Sequence, residues 1–297
     1  MATDIVEVKG YWDTNPCNSN YSAEEDRRRY FEEVTYRRFH GREWHVPLIA
    51  NFDGFKDKDV LEIGCGIGTD GQAFAEKGAR YVGVDLSPNS IALSQERFNL
   101  FDIKGTFKVV NAEEGIPFPD DSFDHVYSFG VIHHTPNPRA VVDEIYRVLR
   151  QGGTFTVMLY NRSSINYHIE IMFLRKLFRW MLYPKFMPGL ISKMTGFDAW
   201  KLEGHRELVK RGRMTKQEWI NINTDGPYCP LSRVYNKREA AKLFSKFDDL
   251  RQEIWEFNTE HWSFIGRSIS TRLARWIGRK WGWHRIIYGR KGSEKKR

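Results

Sequence analysis

The stretch "VLEIGCGIGTD", residues 60–70, is an apolar run closed by three glycines spaced two apart, Gly64, Gly66 and Gly68, with Glu62 just ahead of them. A strand that ends this way can turn sharply, and a ligand can approach its bare backbone to van der Waals contact. A loop that cradles a dinucleotide's pyrophosphate carries G-x-G-x-x-G, whereas the third glycine comes one residue early here and Thr69 takes its place. No phosphate-loop lysine follows. The glycine spacing alone therefore leaves two readings open, a nucleotide-type site and a strand-to-helix turn that simply needs room.

The pattern around this loop repeats. "DVLEIG" reads as a strand and residues 70–77 as a helix, "ARYVGVDL" as a strand and 88–99 as a helix, then "GTFKVVNA" as a third strand. "DHVYSFGVI", "PRAVVDEIYRVLR" and "GTFTVMLYN" continue as strand, helix and strand, with the turn at Gly152 and Gly153. Strand and helix in alternation predict an α/β fold with a parallel sheet covered on both faces. Asp85 closes the second strand 21 residues after Gly64, where a carboxylate can accept both hydroxyls of a ribose. Ala112 and Glu113 end the third strand, and Ser128 to His134 end the fourth, so all these residues are expected on the ligand-binding edge of the sheet.

Composition narrows the class. A chain of 297 residues can bury a sizeable core, and its apolar stretches are broken by charges well before the length of a membrane span. The start, "MATDIVEVKGYWD", has no basic segment followed by an apolar one, and a cytoplasmic protein is expected. Cys17, Cys65 and Cys229 are too few and too scattered for a disulfide framework or a zinc site, so no metal is expected. The net charge of +8 is concentrated at the end, because residues 266–297 hold eleven Lys or Arg against one acid. A uniformly basic nucleic-acid binder is disfavoured by that distribution.

Taken as a set, "VLEIGCGIGTD", "YVGVDLSP", "NAEEGIPFPDDSFDHVYSFGVIHHTPNP" and "IYRVLRQGGTFTVMLY" resemble the successive motifs of class I S-adenosylmethionine-dependent methyltransferases over about residues 55–161. The resemblance implies a Rossmann-like sheet of seven strands whose last strand is antiparallel, with residues 249–257 and 283–290 as the sixth and seventh. It also implies S-adenosyl-L-methionine as cofactor, its methionine end on Glu62 and the glycine loop Gly64, Gly66 and Gly68, its ribose on Asp85, and its adenine near Leu86, Ala112 and Glu113, with Ser128 on the same edge. An acidic, carbonyl-rich pocket suits an ammonium and a sulfonium, where a pyrophosphate would want N–H groups and cations. "GYWDTNPC" resembles the N-terminal arm of bacterial members, which makes Tyr11 and Trp12 candidates to fold over the cofactor and Arg37 or Arg38 candidates to pair with its carboxylate.

Methyl transfer needs mainly alignment and exclusion of water, with a base only if the acceptor must lose a proton. His133 and His134 follow the fourth strand and are the candidate bases; adjacent residues point opposite ways, so one should face the pocket, and His134 is favoured. The expected organisation is an N-terminal helical arm (1–50), a cofactor-binding core (51–162), an inserted lid (163–235) that closes over the acceptor, the completion of the sheet with a basic helix (236–291) and a frayed end (292–297). Within the lid, His205, Arg206, Asp225, Arg233 and Tyr235 are candidate acceptor contacts. A small-molecule acceptor is expected. The alternatives are a non-catalytic S-adenosylmethionine-binding protein, a lipid-borne or RNA acceptor, and, least favoured, an NAD-dependent oxidoreductase. The tail places Ile265, Ile269, Leu273, Trp276 and Ile277 on one helical stripe, expected to cover the sheet; peripheral membrane contact through this basic helix is the alternative.

Overall fold

The computed structural model of the chain describes residues 3–196, 198–212, 214–259, 266 and 268–292. It opens with helices α1 (Ile5–Thr14), α2 (Arg27–Tyr36) and α3 (Val46–Ala50). Asp4 and Asp26 cap the first two, each accepting a backbone N–H of the first turn. Tyr30, Phe31 and Val34, at helical spacing, bury one face of α2.

The alternation then runs as β1 (Asp59–Ile63), α4 (Thr69–Glu76), β2 (Arg80–Asp85), α5 (Pro88–Leu100), β3 (Thr106–Val109), β4 (Phe123–Phe129), α6 (Pro138–Val148) and β5 (Leu149–Asn161). Helices α5 and α6 start as their sequences require: Ser87 and Asn137 accept a backbone N–H from three residues on, and a proline follows each cap. Beyond β5 come α7 (Arg175–Phe178), α8 (Met187–Thr195), α9 (Ala199–Lys210), α10 (Lys216–Thr224), the two-residue β6 (Val234–Tyr235), α11 (Lys237–Leu243), β7 (Asp248–Trp255), α12 (Thr271–Trp281) and β8 (His284–Arg290).

The strand order is β3-β2-β1-β4-β5-β8-β7, with β6 beside β5. Strands β1 to β5 pair in parallel. Strand β8 is antiparallel to β5, because Gly152 N–H reaches Lys291 O and Lys291 N–H returns to Gly153 O, while Asn161 N–H reaches Trp283 O at the other end. This is the mostly parallel sheet with an antiparallel last strand that the motifs implied, flanked by helices. Between β1, β2, β4 and the helices lies an aromatic core of Phe52, Phe74, Tyr81, Phe98 and Tyr127.

The chain divides into two compact units, one of residues 2–159, 237–253 and 286–297, the other of 160–236 and 254–285. Two expectations change in the second unit. The apolar stretch around 165–183 reads in the sequence as one helix, but it is broken: residues 166–174 form wide π-helical turns, in which the Arg175 N–H bonds back to Glu170 O and the two side chains pair as well. A partner five residues away suits that wider spiral. Helix α12 does not spend its apolar stripe on the sheet, since only Gly278 is buried and Leu273 and Trp276 are about half exposed. Ile265 of that stripe lies outside the described residues, as do residues 293–297 of the tail. No helix among the described residues is long and apolar enough to cross a membrane.

Candidate active site

The first unit gathers the residues of the glycine loop at the C-terminal edge of β1, β2 and β4. Register sets them side by side: Ile63 lies opposite Val84, and Glu62 opposite Tyr127. Gly64, Gly66 and Gly68 all have positive φ, at 75°, 54° and 75°, in the left-handed region where a side chain is strained. Their surroundings differ. A Cβ on Gly64 would stand 2.1 Å from the Val131 side chain and one on Gly68 would press on Ser94, but one on Gly66 would meet nothing within 4 Å. Gly66 is the glycine that borders open space.

Acids converge under this loop. The Gly66 N–H donates to Asp85 Oδ2 at 2.9 Å and the Ser87 N–H to Asp85 Oδ1 at 2.9 Å, so the carboxylate is held at the end of β2 by backbone donors. Burial pushes the Asp85 carboxyl above its ordinary value, against the pull of those donors. Glu62 is buried and accepts the Tyr81 hydroxyl at 2.5 Å. Tyr81 reaches it through a slot that two glycines leave open: a Cβ on Gly71 or Gly83 would lie 2.4 or 2.8 Å from that hydroxyl. Burial, with Asp70 adding to it, drives the Glu62 carboxyl well above the usual carboxylate range. Ser128 is buried and donates to Ile63 O at 3.0 Å. Strand β3 stops at Val109, short of the end expected at Ala112 and Glu113, so both lie in the turn that follows it. There Glu113 accepts the Asn137 N–H at 2.9 Å, tying that turn to the start of α6. Leu86, half-buried, follows Asp85.

The arm crosses two of these loops. Trp12 meets His134 edge-on, and Tyr11 stands 5.1 Å from Trp12, centroid to centroid. One residue later, Asp13 Oδ1 accepts the Ser87 hydroxyl at 2.7 Å and the Asn89 N–H at 3.0 Å, which ties α1 to the N-terminus of α5 just past Asp85. Sequence reasoning had missed Asp13, although it directly follows Trp12. His133 and His134 sit together in a single 3₁₀ turn, both buried, ring centroids 4.3 Å apart. The turn replaces the extended segment assumed for them, so alternation of side chains does not separate the two.

Arg38 lies inside the protein, where its Nε and Nη2 donate to the two oxygens of Asp70 at 2.7 and 2.6 Å, and its remaining Nη1 pairs with Glu43. Tyr127 adds a hydroxyl to Asp70 at 3.0 Å. Against the opposing effect of burial, the paired carboxylates hold Arg38 well above its ordinary value. Arg37 pairs instead with Glu33 on the exposed side of the helix, at 2.5 Å.

In the second unit, Asp225 accepts the Tyr160 hydroxyl at 2.7 Å, and Tyr235 lies in β6, which pairs with the end of β5, with Arg233 just ahead of it. His205, on α9, is pushed down to about 4 by burial and by Arg175 and Lys201. Arg206 is buried and spent on Glu203 and Glu207. These residues share a unit, and Asp225 among them is tied to the hydroxyl of Tyr160 in β5.

Residues 61–157 match the methyltransferase domain family. Among curated proteins, a sterol 4-C-methyltransferase of Caenorhabditis elegans is 39% identical over 38% of this chain and 34% of its own length. A ubiquinone biosynthesis O-methyltransferase of Psychrobacter arcticus is 28% identical over 59% of this chain and 71% of its own. The chain thus spans about a third of the first of these relatives. Two solved structures share the fold: the [4+2]-cyclase SpnF at a TM-score of 0.53, 15% identity and coverage of 96% of this chain and 95% of that one, and the PH0226 protein of Pyrococcus horikoshii at 0.51, 18%, 95% and 99%.

Proposed function

Because the core of this chain is a class I S-adenosylmethionine-dependent methyltransferase domain, we propose that the protein moves a methyl group from S-adenosylmethionine to a small-molecule acceptor. The observation that carries this reading is the open space at Gly66, whose backbone N–H is held by the Asp85 carboxylate at the end of β2. The donor set fits the group. Asp85 would take the ribose hydroxyls, Glu62 and the loop carbonyls the cationic methionine end, and Leu86, Ala112 and Glu113 the adenine.

When bound, S-adenosylmethionine supplies a methyl carbon already activated by its sulfonium. The residues of this chain then have three tasks. Asp85 and the glycine loop fix the donor's orientation, since aligning reactants is worth effective molarities on the order of 10⁵ M or more. Trp12 and Tyr11, held by the Asp13 tie, cover the edge and exclude water. His134, in contact with Trp12, would take the proton that an acceptor hydroxyl or neutral amine gives up as its lone pair takes the methyl group and the carbon–sulfur bond breaks to leave S-adenosylhomocysteine, and pass it to solvent. Asp225, Arg233, Tyr235 and His205 are proposed to recognise the acceptor.

Incubation of the protein with methyl-labelled S-adenosylmethionine and a fractionated cell extract tests the proposal. Label in a low-molecular-weight compound, with equal formation of S-adenosylhomocysteine, is expected. Tight binding of the donor with no label transferred to any fraction would contradict it and favour a non-catalytic binding protein. Label found only in RNA would contradict the small-molecule acceptor.

A further inference from the structure

Most of the large apolar side chains that the described residues leave exposed belong to the second unit, and they crowd into one stretch. Phe173, Trp180, Phe186, Met194 and Trp200 are each more than half exposed. A folded unit has little reason to hold so many apolar groups in water unless a partner covers them. The inner side of the same stretch is ordinary core, with Ile171 packed against Trp219 and Ile222.

The charges interleaved with these side chains are almost all positive. Arg175 pairs with Glu170 and Lys201 with Asp198, while Lys176, Arg179, Lys185 and Lys193 have no acidic partner among the described residues. Two of these cations, with Lys216 from the start of α10, line an open cavity of about 340 Å³ together with Trp219, Met214 and Thr215. Glu218, the acid next to Trp219 in the chain, is turned onto the Thr215 N–H and hydroxyl in a capping box and so is already engaged. The cavity has the charge and size for a phosphate-bearing headgroup.

We propose that the surface bearing Phe173, Trp180, Phe186, Met194 and Trp200, with the Lys176–Arg179–Lys216 cavity, docks on an anionic phospholipid bilayer. Aromatic side chains favour the headgroup level, aliphatic ones enter the acyl boundary, and cations meet the lipid phosphates. A second copy of the chain fits less well, because a two-fold interface would set these unpaired cations against each other. Nucleic acid would match the charge, but it has no use for exposed Leu177, Leu190 and Met194. Helix α12 adds a further basic surface with half-exposed Leu273 and Trp276 to the same unit. The inference rests on this surface alone and stands whether or not the protein transfers methyl groups.

The test is sedimentation of the full chain with vesicles of phosphatidylcholine alone and of phosphatidylcholine mixed with phosphatidylglycerol. Binding to the mixed vesicles only, weakened by salt, is expected. Lys176→Ala with Arg179→Ala should weaken it about 25-fold, from about fivefold per cation removed. Trp180→Ser with Phe186→Ser should abolish it, both pairs leaving the thermal transition in place because the side chains are exposed. Equal binding to both vesicle types, no binding to either, or variants that bind as the parent does would overturn the proposal. So would a concentration-dependent dimer that the Trp180 and Phe186 changes disrupt, which would assign the face to a second copy. Relief of vesicle binding by millimolar inorganic phosphate at constant ionic strength would reassign the cavity to a free anion.

Discussion

The indole of Trp12 meets the imidazole of His134 edge-on, with ring centroids 4.9 Å apart and planes at 61°, while Asp13, the next residue, holds the hydroxyl of Ser87 at 2.7 Å. One turn of an N-terminal helix therefore touches both the loop that follows β4 and the loop that follows β2. Those are the two loops on which a methyl donor and its acceptor would meet.

Loss of the Asp13 tie should free the arm without unfolding the core. Asp13→Ala is expected to weaken S-adenosylhomocysteine binding about tenfold, as befits one charge-assisted hydrogen-bond anchor, and to expose the segment before α2 to protease. Calorimetry and limited proteolysis read the two effects. Affinity and cleavage both unchanged would mean that the arm does not help to close the site.

His134→Gln separates covering from chemistry. If the imidazole accepts the acceptor's proton, donor affinity should hold while turnover falls by about 10²- to 10⁴-fold. A rate within a factor of a few of the parent's would assign His134 to packing against Trp12.

The glycines should sort by what faces them. Gly64→Ala puts a methyl 2.1 Å from Val131 at a φ of 75°, and destabilisation by at least about 2 kcal/mol is expected from strain and overlap together. Gly66→Ala has room in the protein, and its cost to folding should stay near 1 kcal/mol. Its methyl group would occupy ligand space, so donor affinity should drop sharply. Thermal unfolding and titration of both variants test the pair, and the reverse ranking would contradict the assignment of that space.

Breaking the buried cluster around Asp70 should be costly, because Arg38→Met leaves a carboxylate without its two charged hydrogen bonds. A loss of about 3–5 kcal/mol is expected, partly recovered in the double variant with Asp70→Leu. Recovery would identify Arg38 as a positioning residue of the fold, and its absence would point to a separate role for the guanidinium.

Buried His125 gives a pH signature. It touches Thr154 at 2.8 Å through Nδ1 and stacks on Phe55, and burial lowers it from 6.5 to about 3. The unfolded chain takes up this proton first, so the stabilisation is complete above pH 6.5 and is lost as pH falls from there toward 3, at about 1.4 kcal/mol per pH unit. The comparison with His125→Phe isolates it from the carboxylates, of which paired ones such as Asp59 and Glu96 shift stability in the same direction on acidification and buried Glu62 and Asp85 in the opposite one. The parent's advantage over the variant should shrink with that slope on acidification, and a constant gap would show that His125 is charged in the folded protein.

The parallel sheet and the glycine edge were legible because each depends on local pattern: apolar runs, capping Ser87 and Asn137, and glycines placed where φ is positive. Asp13 and Asp70 were not, since their partners Ser87 and Arg38 are far away in sequence and no local spacing announces them. The segment over residues 163–235 was less legible for a different reason. Its helix α10 does carry a readable signal, Thr215 and Glu218 in a capping box, which the sequence reading passed over. The break over residues 166–174 and the exposed stripe of α12 follow from tertiary choices that helical periodicity does not encode.

The central claim is that Asp85 holds the ribose of the methyl donor beside Gly66, and titration calorimetry of S-adenosylhomocysteine into the parent and Asp85→Ala tests it most directly. Loss of contacts to two hydroxyls should cost roughly 1.5–3 kcal/mol, about ten- to a hundredfold in affinity. The account predicts that weakening in a variant whose thermal transition is intact. Equal affinity in an equally folded variant would contradict it.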